Sequence, residues 1–343
     1  MPPPWHSRRL VHSAHLEPHQ KESMQRIETR VDVSGAVGTG ETLHCAATVI
    51  VPDQLRADGA TVVFGFPGGG YNRLYYDLQI SGHSQYSQAE HHVRNGFVFV
   101  ACDHVGVGDS DVPVNALDYA AVARANNATA TAILDQLRAG SLDPGLAPLV
   151  VSVAIGIGQS FGGFLLTIGQ GNKPVFDAVA MLGWSGLGTV APWPDDTDLG
   201  AMLSLEAGNG LAHPMRAAFH LSDVPDDIVA ADMTKRPGTV GSAAVWSTAN
   251  SPGGPALADD RHPLLPGVVA AEAARIAVPV LIVSGETDVI SDIHAEPSAY
   301  RGTRDVTAWL MADMAHMHNF ASSRALLWRK LEHWYEGVVV RPA

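Results

Sequence analysis

The feature that most constrains this chain is the stretch 149–163, LVVSVAIGIGQSFGG. An apolar, β-branched run of the kind that forms a buried strand breaks at Gly158-Gln159-Ser160-Phe161-Gly162, and a second apolar run follows. A serine between strand and helix sits on a sharp turn that strains its backbone and brings it close to neighbouring chain. The positions two before and two after must then be small, and both are glycine. In a chain with 34 glycines the same pentapeptide also fits an ordinary strand-to-helix connection, so its meaning depends on what surrounds it.

Residues 1–24 carry His6, His12, His15 and His19 without a sustained apolar period and read as a surface-laid extension, not a metal site. From Gln25, RIETRVDVSG and ETLHCAATVIVP flank Gly35 to Gly40 as an antiparallel hairpin. Buried-type strands are expected at 60–66, 97–101 and 278–284, besides the one that ends at Ser160, and further strands at 175–183 and 306–311. Helices are expected at 84–95, 119–139 and 320–336, the last with Leu327, Leu331, Trp334 and Tyr335 on one face. Such alternation predicts a largely parallel sheet, whose functional groups gather outside the strand carboxyl ends. Four groups fall at those ends: Pro67-Gly68-Gly69-Gly70-Tyr71, Ser160, Asp288 and His316. The glycine run can turn main-chain N–H groups outward as an anion cradle, although a flexible loop reads the same way.

On these residues the chain resembles the α/β-hydrolase superfamily. The order serine, acid, histidine matches, and Asp103-His104-Val105-Gly106-Val107-Gly108-Asp109-Ser110 is similar to that family's DxxGxGxS turn. The resemblance implies an α/β-hydrolase fold: a mostly parallel central sheet flanked by helices, with a helical cap insertion. The core would be 25–185 and 278–343, the cap 186–277, and 1–24 a polar extension. Ser160 would be the nucleophile, His316 its base, and Asp288 the acid that orients the imidazole. The N–H of Phe161, with one from Gly69 or Gly70, would form the oxyanion hole. Where the family often has His-Gly, this chain has Pro67-Gly68, which leaves the register open by one residue.

His316 and His318 would point in opposite directions from an extended segment, so only one can face Ser160. The resemblance favours His316, after the small Ala315, and leaves His318 to pack or hydrogen-bond. Asp288 holds the GxxD position, with Asp292 the fallback. The expected activity is cleavage of a carboxylic ester or lactone through an acyl-enzyme, with no metal or organic cofactor. Acyl transfer, perhydrolysis and carbon–carbon bond hydrolysis run on the same triad. Tyr71 is a candidate substrate contact, and Trp193, Met202, Leu211, Met215, Phe219 and Trp246 of the insertion offer surface for a neutral or apolar substrate, or merely pack the insertion onto the core.

Two rivals are a hydrolase-fold binding protein without turnover and a dinucleotide-dependent oxidoreductase. Gly156, Gly158 and Gly162 approach a dinucleotide fingerprint with Asp177 downstream, but Phe161 displaces the third glycine and Asp177 precedes its strand. A formal charge of −13 without a Lys/Arg cluster argues against nucleic acid and anionic membrane as partners. Cys45 and Cys102 are too few for a disulfide framework and are expected as buried thiols. No run approaches the roughly 20 apolar residues of a membrane span, and no signal-peptide core is present, so a soluble, cytoplasmic protein acting on a small molecule is expected.

Overall fold

The computed structural model describes residues 24–190, 216–234 and 265–339. Eight strands form one sheet: β1 (Met24–Asp32), β2 (His44–Pro52), β3 (Ala60–Phe66), β4 (Val98–Cys102), β5 (Val151–Gln159), β6 (Ala178–Leu182), β7 (Val280–Thr287) and β8 (Val306–Ala315). Their spatial order is β1-β2-β4-β3-β5-β6-β7-β8. β1 and β2 pair antiparallel, as the hairpin reading requires, and β2 pairs antiparallel with β4. Every other pair is parallel. β2 is therefore the strand that runs against the rest.

β3 is buried along its whole length, as a strand covered on both faces must be. Alternate side chains divide between two apolar layers. Val62, Phe64, Phe66, Val98 and Val100 join α2 (Tyr119–Ala139) and α3 (Phe161–Asn172) on one face. Val63, Phe99 and Ala101 join α1 (Gln88–Arg94), α4 (Asp226–Thr234) and α5 (Arg324–Val339) on the other. α2 spans the expected 119–139: Asp118 caps its start by accepting from Ala121 N–H, and Gly140 ends it at φ +64°.

Several boundaries differ from expectation, among them the start of the last helix, at Arg324 and not Phe320, and the end of β7, at Thr287 and not Ser284. α1 starts at Gln88 and not at Ser84, because Ser87 Oγ accepts from Glu90 N–H at 2.9 Å and Gln85 holds φ +66°. β8 runs beyond Met311 to Ala315, past an irregularity opposite Gly285–Thr287. Cys45 and Cys102 are free and buried, and burial pushes the Cys45 thiol up to about 12. Among the described residues no helix is long and apolar enough to cross a membrane. The 1–24 extension before Met24, and most of 186–277 including Trp193, Met202, Leu211, Met215 and Trp246, lie outside the described residues.

Candidate active site

β5 ends at Gln159, and Ser160 makes the turn into α3 with φ +50° and ψ −118°, a conformation L-residues rarely adopt. The flanking glycines permit it. A Cβ on Gly158 would lie 2.6 Å from the Gly162 carbonyl group, and one on Gly162 would lie 2.1 Å from Phe66 O. The turn is pinned by Ser160 N–H to Leu182 O at 2.8 Å. Gly156, by contrast, lies inside β5, where a Cβ would meet the Phe176 ring at 2.8 Å, and Asp177 accepts from Ala154 N–H at 2.8 Å. In this structure both serve strand packing and pairing.

The ends of β7 and β8 bring Asp288 and His316 to the same place. His316 Nε2 lies 2.9 Å from Ser160 Oγ, and His316 Nδ1 lies 2.6 Å from Asp288 Oδ1. With Nδ1–H donating to the carboxylate, Nε2 is left to accept the serine proton. Ser160 is part-exposed, whereas the Asp288 side chain is fully enclosed and that of His316 almost so. Gly183, at φ +60°, makes room for the pair: a Cβ there would lie 3.1 Å from both Asp288 Oδ1 and His316 Nδ1.

Asp288 accepts two further backbone bonds, from Val289 N–H to Oδ1 at 2.8 Å and from Gly285 N–H to Oδ2 at 2.9 Å. His318 also reaches it, with Nε2 2.9 Å from Oδ2. Burial opposes ionisation of Asp288, yet His316 and then His318 outweigh it and hold the carboxyl well below the usual carboxylate range. The expectation that the two histidines point apart is thus corrected. The chain is not extended here: His318 N–H bonds His316 O at 3.1 Å and opens a 3₁₀ turn, which aims both rings at one carboxylate. Asp292 instead accepts from His294 N–H.

The glycine loop leaves β3 under several restraints. Tyr76 O–H donates to Phe66 O at 2.8 Å. Burial pushes the His104 imidazole down, and the neutral ring donates from Nε2 to Pro67 O at 2.9 Å. Tyr71 N–H closes on Gly68 O at 3.1 Å. Gly68 must stay bare because a Cβ would lie 2.2 Å from Gln159 Oε1, while Gly69 lies against Phe161, its Cβ position 3.6 Å from that of Phe161. Phe161 opens α3, where leading N–H groups point out of the helix. The 103–110 turn wraps the Asp103 carboxylate, which accepts from Arg73 N–H at 2.7 Å and Asp109 N–H at 3.0 Å.

Of the other residues expected near substrate, Tyr71 is buried with its hydroxyl donating to Asp232 at 2.6 Å. Phe219 is buried with its ring 5.5 Å from that of His316. Gln159, unremarked in the sequence, donates to His316 O at 3.1 Å; a polar residue within an apolar strand was the signal. A separate cluster, His91, His92 and Glu332, holds its ligand-type atoms within 4.8 Å of one another. There burial keeps His92 neutral, and its Nδ1–H donates to Glu332 at 2.9 Å, which joins α1 to α5.

Neither protein-family models nor curated proteins give a match to this chain. Solved structures do. A peroxisomal α/β-hydrolase, Lpx1, from Saccharomyces cerevisiae superposes with a TM-score of 0.60 at 10% identity, covering 94% of this chain and 92% of that one. A thermophilic esterase from Thermogutta terrifontis gives 0.57 at 12%, covering 91% and 99%. The 2-hydroxy-6-oxo-6-phenylhexa-2,4-dienoate hydrolase of Rhodococcus sp. gives 0.58 at 17%, also covering 91% and 99%. The chain has the α/β-hydrolase fold.

Proposed function

We propose that this chain is a serine hydrolase that cleaves a carboxylic ester or lactone through an acyl-enzyme. The observation that carries the reading is the unbroken path from Ser160 Oγ through His316 to the enclosed Asp288 carboxylate. Ser160 attacks the carbonyl carbon while His316 Nε2 takes its proton. Asp288 holds the tautomer and stabilises the imidazolium that forms. The carbonyl oxygen becomes an oxyanion beside Phe161 N–H and the Gly69 or Gly70 N–H, each such donor worth about 3 kcal/mol in the transition state. The proximity of Gly69 to Phe161 favours Gly69. His316 then protonates the departing alkoxide, and a water deprotonated by the same ring releases the acid. The β6–β7 connection is read as a cap, with Phe219 on its inner side. Preference for an ester draws support from the esterase among the structural neighbours.

Incubation with a panel of p-nitrophenyl esters and lactones, followed by intact-mass analysis, tests this. Wild type should gain one acyl mass and turn over, and Ser160→Ala should gain none and lose nearly all turnover with its circular dichroism unchanged. Robust turnover by Ser160→Ala would end the proposal.

A further inference from the structure

The β6–β7 connection grips both loops that present the site. Asp232, on α4, has a fully enclosed side chain, and its carboxylate has two partners. The Tyr71 hydroxyl donates to Oδ1 at 2.6 Å, and His220 Nε2 lies 2.8 Å from Oδ2. The same connection touches the histidine loop. Met317 N–H donates to Phe219 O at 3.1 Å, the Phe219 ring lies 5.5 Å from His316, and the His220 ring meets Phe320 edge-on at 5.7 Å.

Three successive glycines have the least restrained backbone a chain can offer. On the strand side, their position is set by the bonds to Phe66 O and Pro67 O. On the far side, Tyr71 is the first residue with a side chain to hold, and Asp232 holds it. Oxyanion donors act only at about 2.7 to 3.1 Å from the developing charge, so a shift of a few tenths of an ångström weakens them. We infer that Asp232 is a positioning residue which, through Tyr71, fixes the glycine loop in register with Ser160, so that the β6–β7 connection sets the rate of the chemical step. This rests on the reading of Ser160, His316 and Asp288 as a catalytic triad.

The test uses the full chain with p-nitrophenyl acetate and a fluorophosphonate. Tyr71→Phe removes one hydroxyl, and Asp232→Asn removes the charge at constant shape. Each should lower kcat about tenfold to thirtyfold, less than the roughly 100-fold or more that loss of an oxyanion donor costs, with KM within about twofold. Fluorophosphonate labelling should slow by the same factor, because phosphonylation builds the same oxyanion. The double variant should lose no more than the worse single one, since both act through one bond. Wild-type kcat in folded Tyr71→Phe, or fully additive losses, would overturn the inference. If Asp232→Asn does not fold, Tyr71→Phe decides alone. Full turnover by Ser160→Ala removes the catalytic reading and this inference with it. An inactive Ser160→Ala beside a fully active Tyr71→Phe removes the inference alone.

Discussion

Asp288 is the residue on which most of the site converges, with two backbone N–H groups and two imidazoles around one carboxylate. An amide cannot accept from all four. Asp288→Asn should therefore lower kcat by up to about four orders of magnitude, since His316 would lose its tautomer while keeping its place. The two histidines should behave differently. His316→Ala should abolish turnover, whereas His318→Ala, which leaves Gly285 N–H on Oδ2, should cost roughly tenfold, the worth of one bond to a charged group. Equal losses in steady-state assays would refute the assignment of His316 as base. That these groups come together was legible: serine and acid each follow a buried apolar run, and the histidine follows a strand buried mainly at its end. The second imidazole was not. Spacing of two in a strand means opposite faces, and nothing in Ala-His-Met-His-Asn announces the 3₁₀ turn that brings both rings to one side. Asp232 and Tyr71 were unreadable for another reason: 161 residues separate them.

Among the elements, the β5–α3 turn is the most tightly specified. A Cβ at Gly162 would sit 2.1 Å from Phe66 O and 2.7 Å from Pro67 O, both backbone atoms with no rotamer to yield. Gly162→Ala should therefore push α3 away from β3 at a cost of about 3 kcal/mol or more, as overpacking does. At Gly35 a Cβ meets nothing within 4 Å, so Gly35→Ala should change stability by less than about 0.5 kcal/mol. Urea unfolding of the two variants measures the contrast, and equal midpoints would refute it. The requirement for small residues was readable from Gly158 and Gly162 alone, since a nucleophile on a sharp turn demands them. What the glycines make room for was not, because the Phe66 carbonyl comes from a strand almost a hundred residues earlier. Element interiors read well wherever β-branched runs are long, as in β3 and β5. Ends read less well, because they are set by single bonds such as Ser87 Oγ to Glu90 N–H.

At the scale of the whole molecule the sheet has two covered faces, and the proposed chemistry gathers at the carboxyl ends of β3, β5, β7 and β8. The face opposite α2 and α3 depends on α5 docking against α1, and Glu332 is a fixed charge within that contact. Burial raises the cost of its ionised form, but the hydrogen bonds from His91 and His92 more than compensate and bring its carboxyl down to about 2, from an ordinary 4.5. The folded value lies below the unfolded one, so the unfolded chain takes up the proton first. The stabilisation is whole above about pH 4.5 and is lost as the pH falls towards 2. Partial exposure of the cluster reduces the gain to about 1 to 2 kcal/mol. Urea unfolding at a series of pH values, with Glu332→Gln subtracted from wild type, isolates it from the other carboxylates that titrate nearby. The difference should be constant near neutrality and shrink to nothing by about pH 2, while turnover at neutral pH stays within about twofold of wild type, because the Glu332 bond joins α1 to α5 and Ser160 bonds His316 instead. A difference that does not vary with pH would mean that Glu332 holds α5 by shape and not by charge.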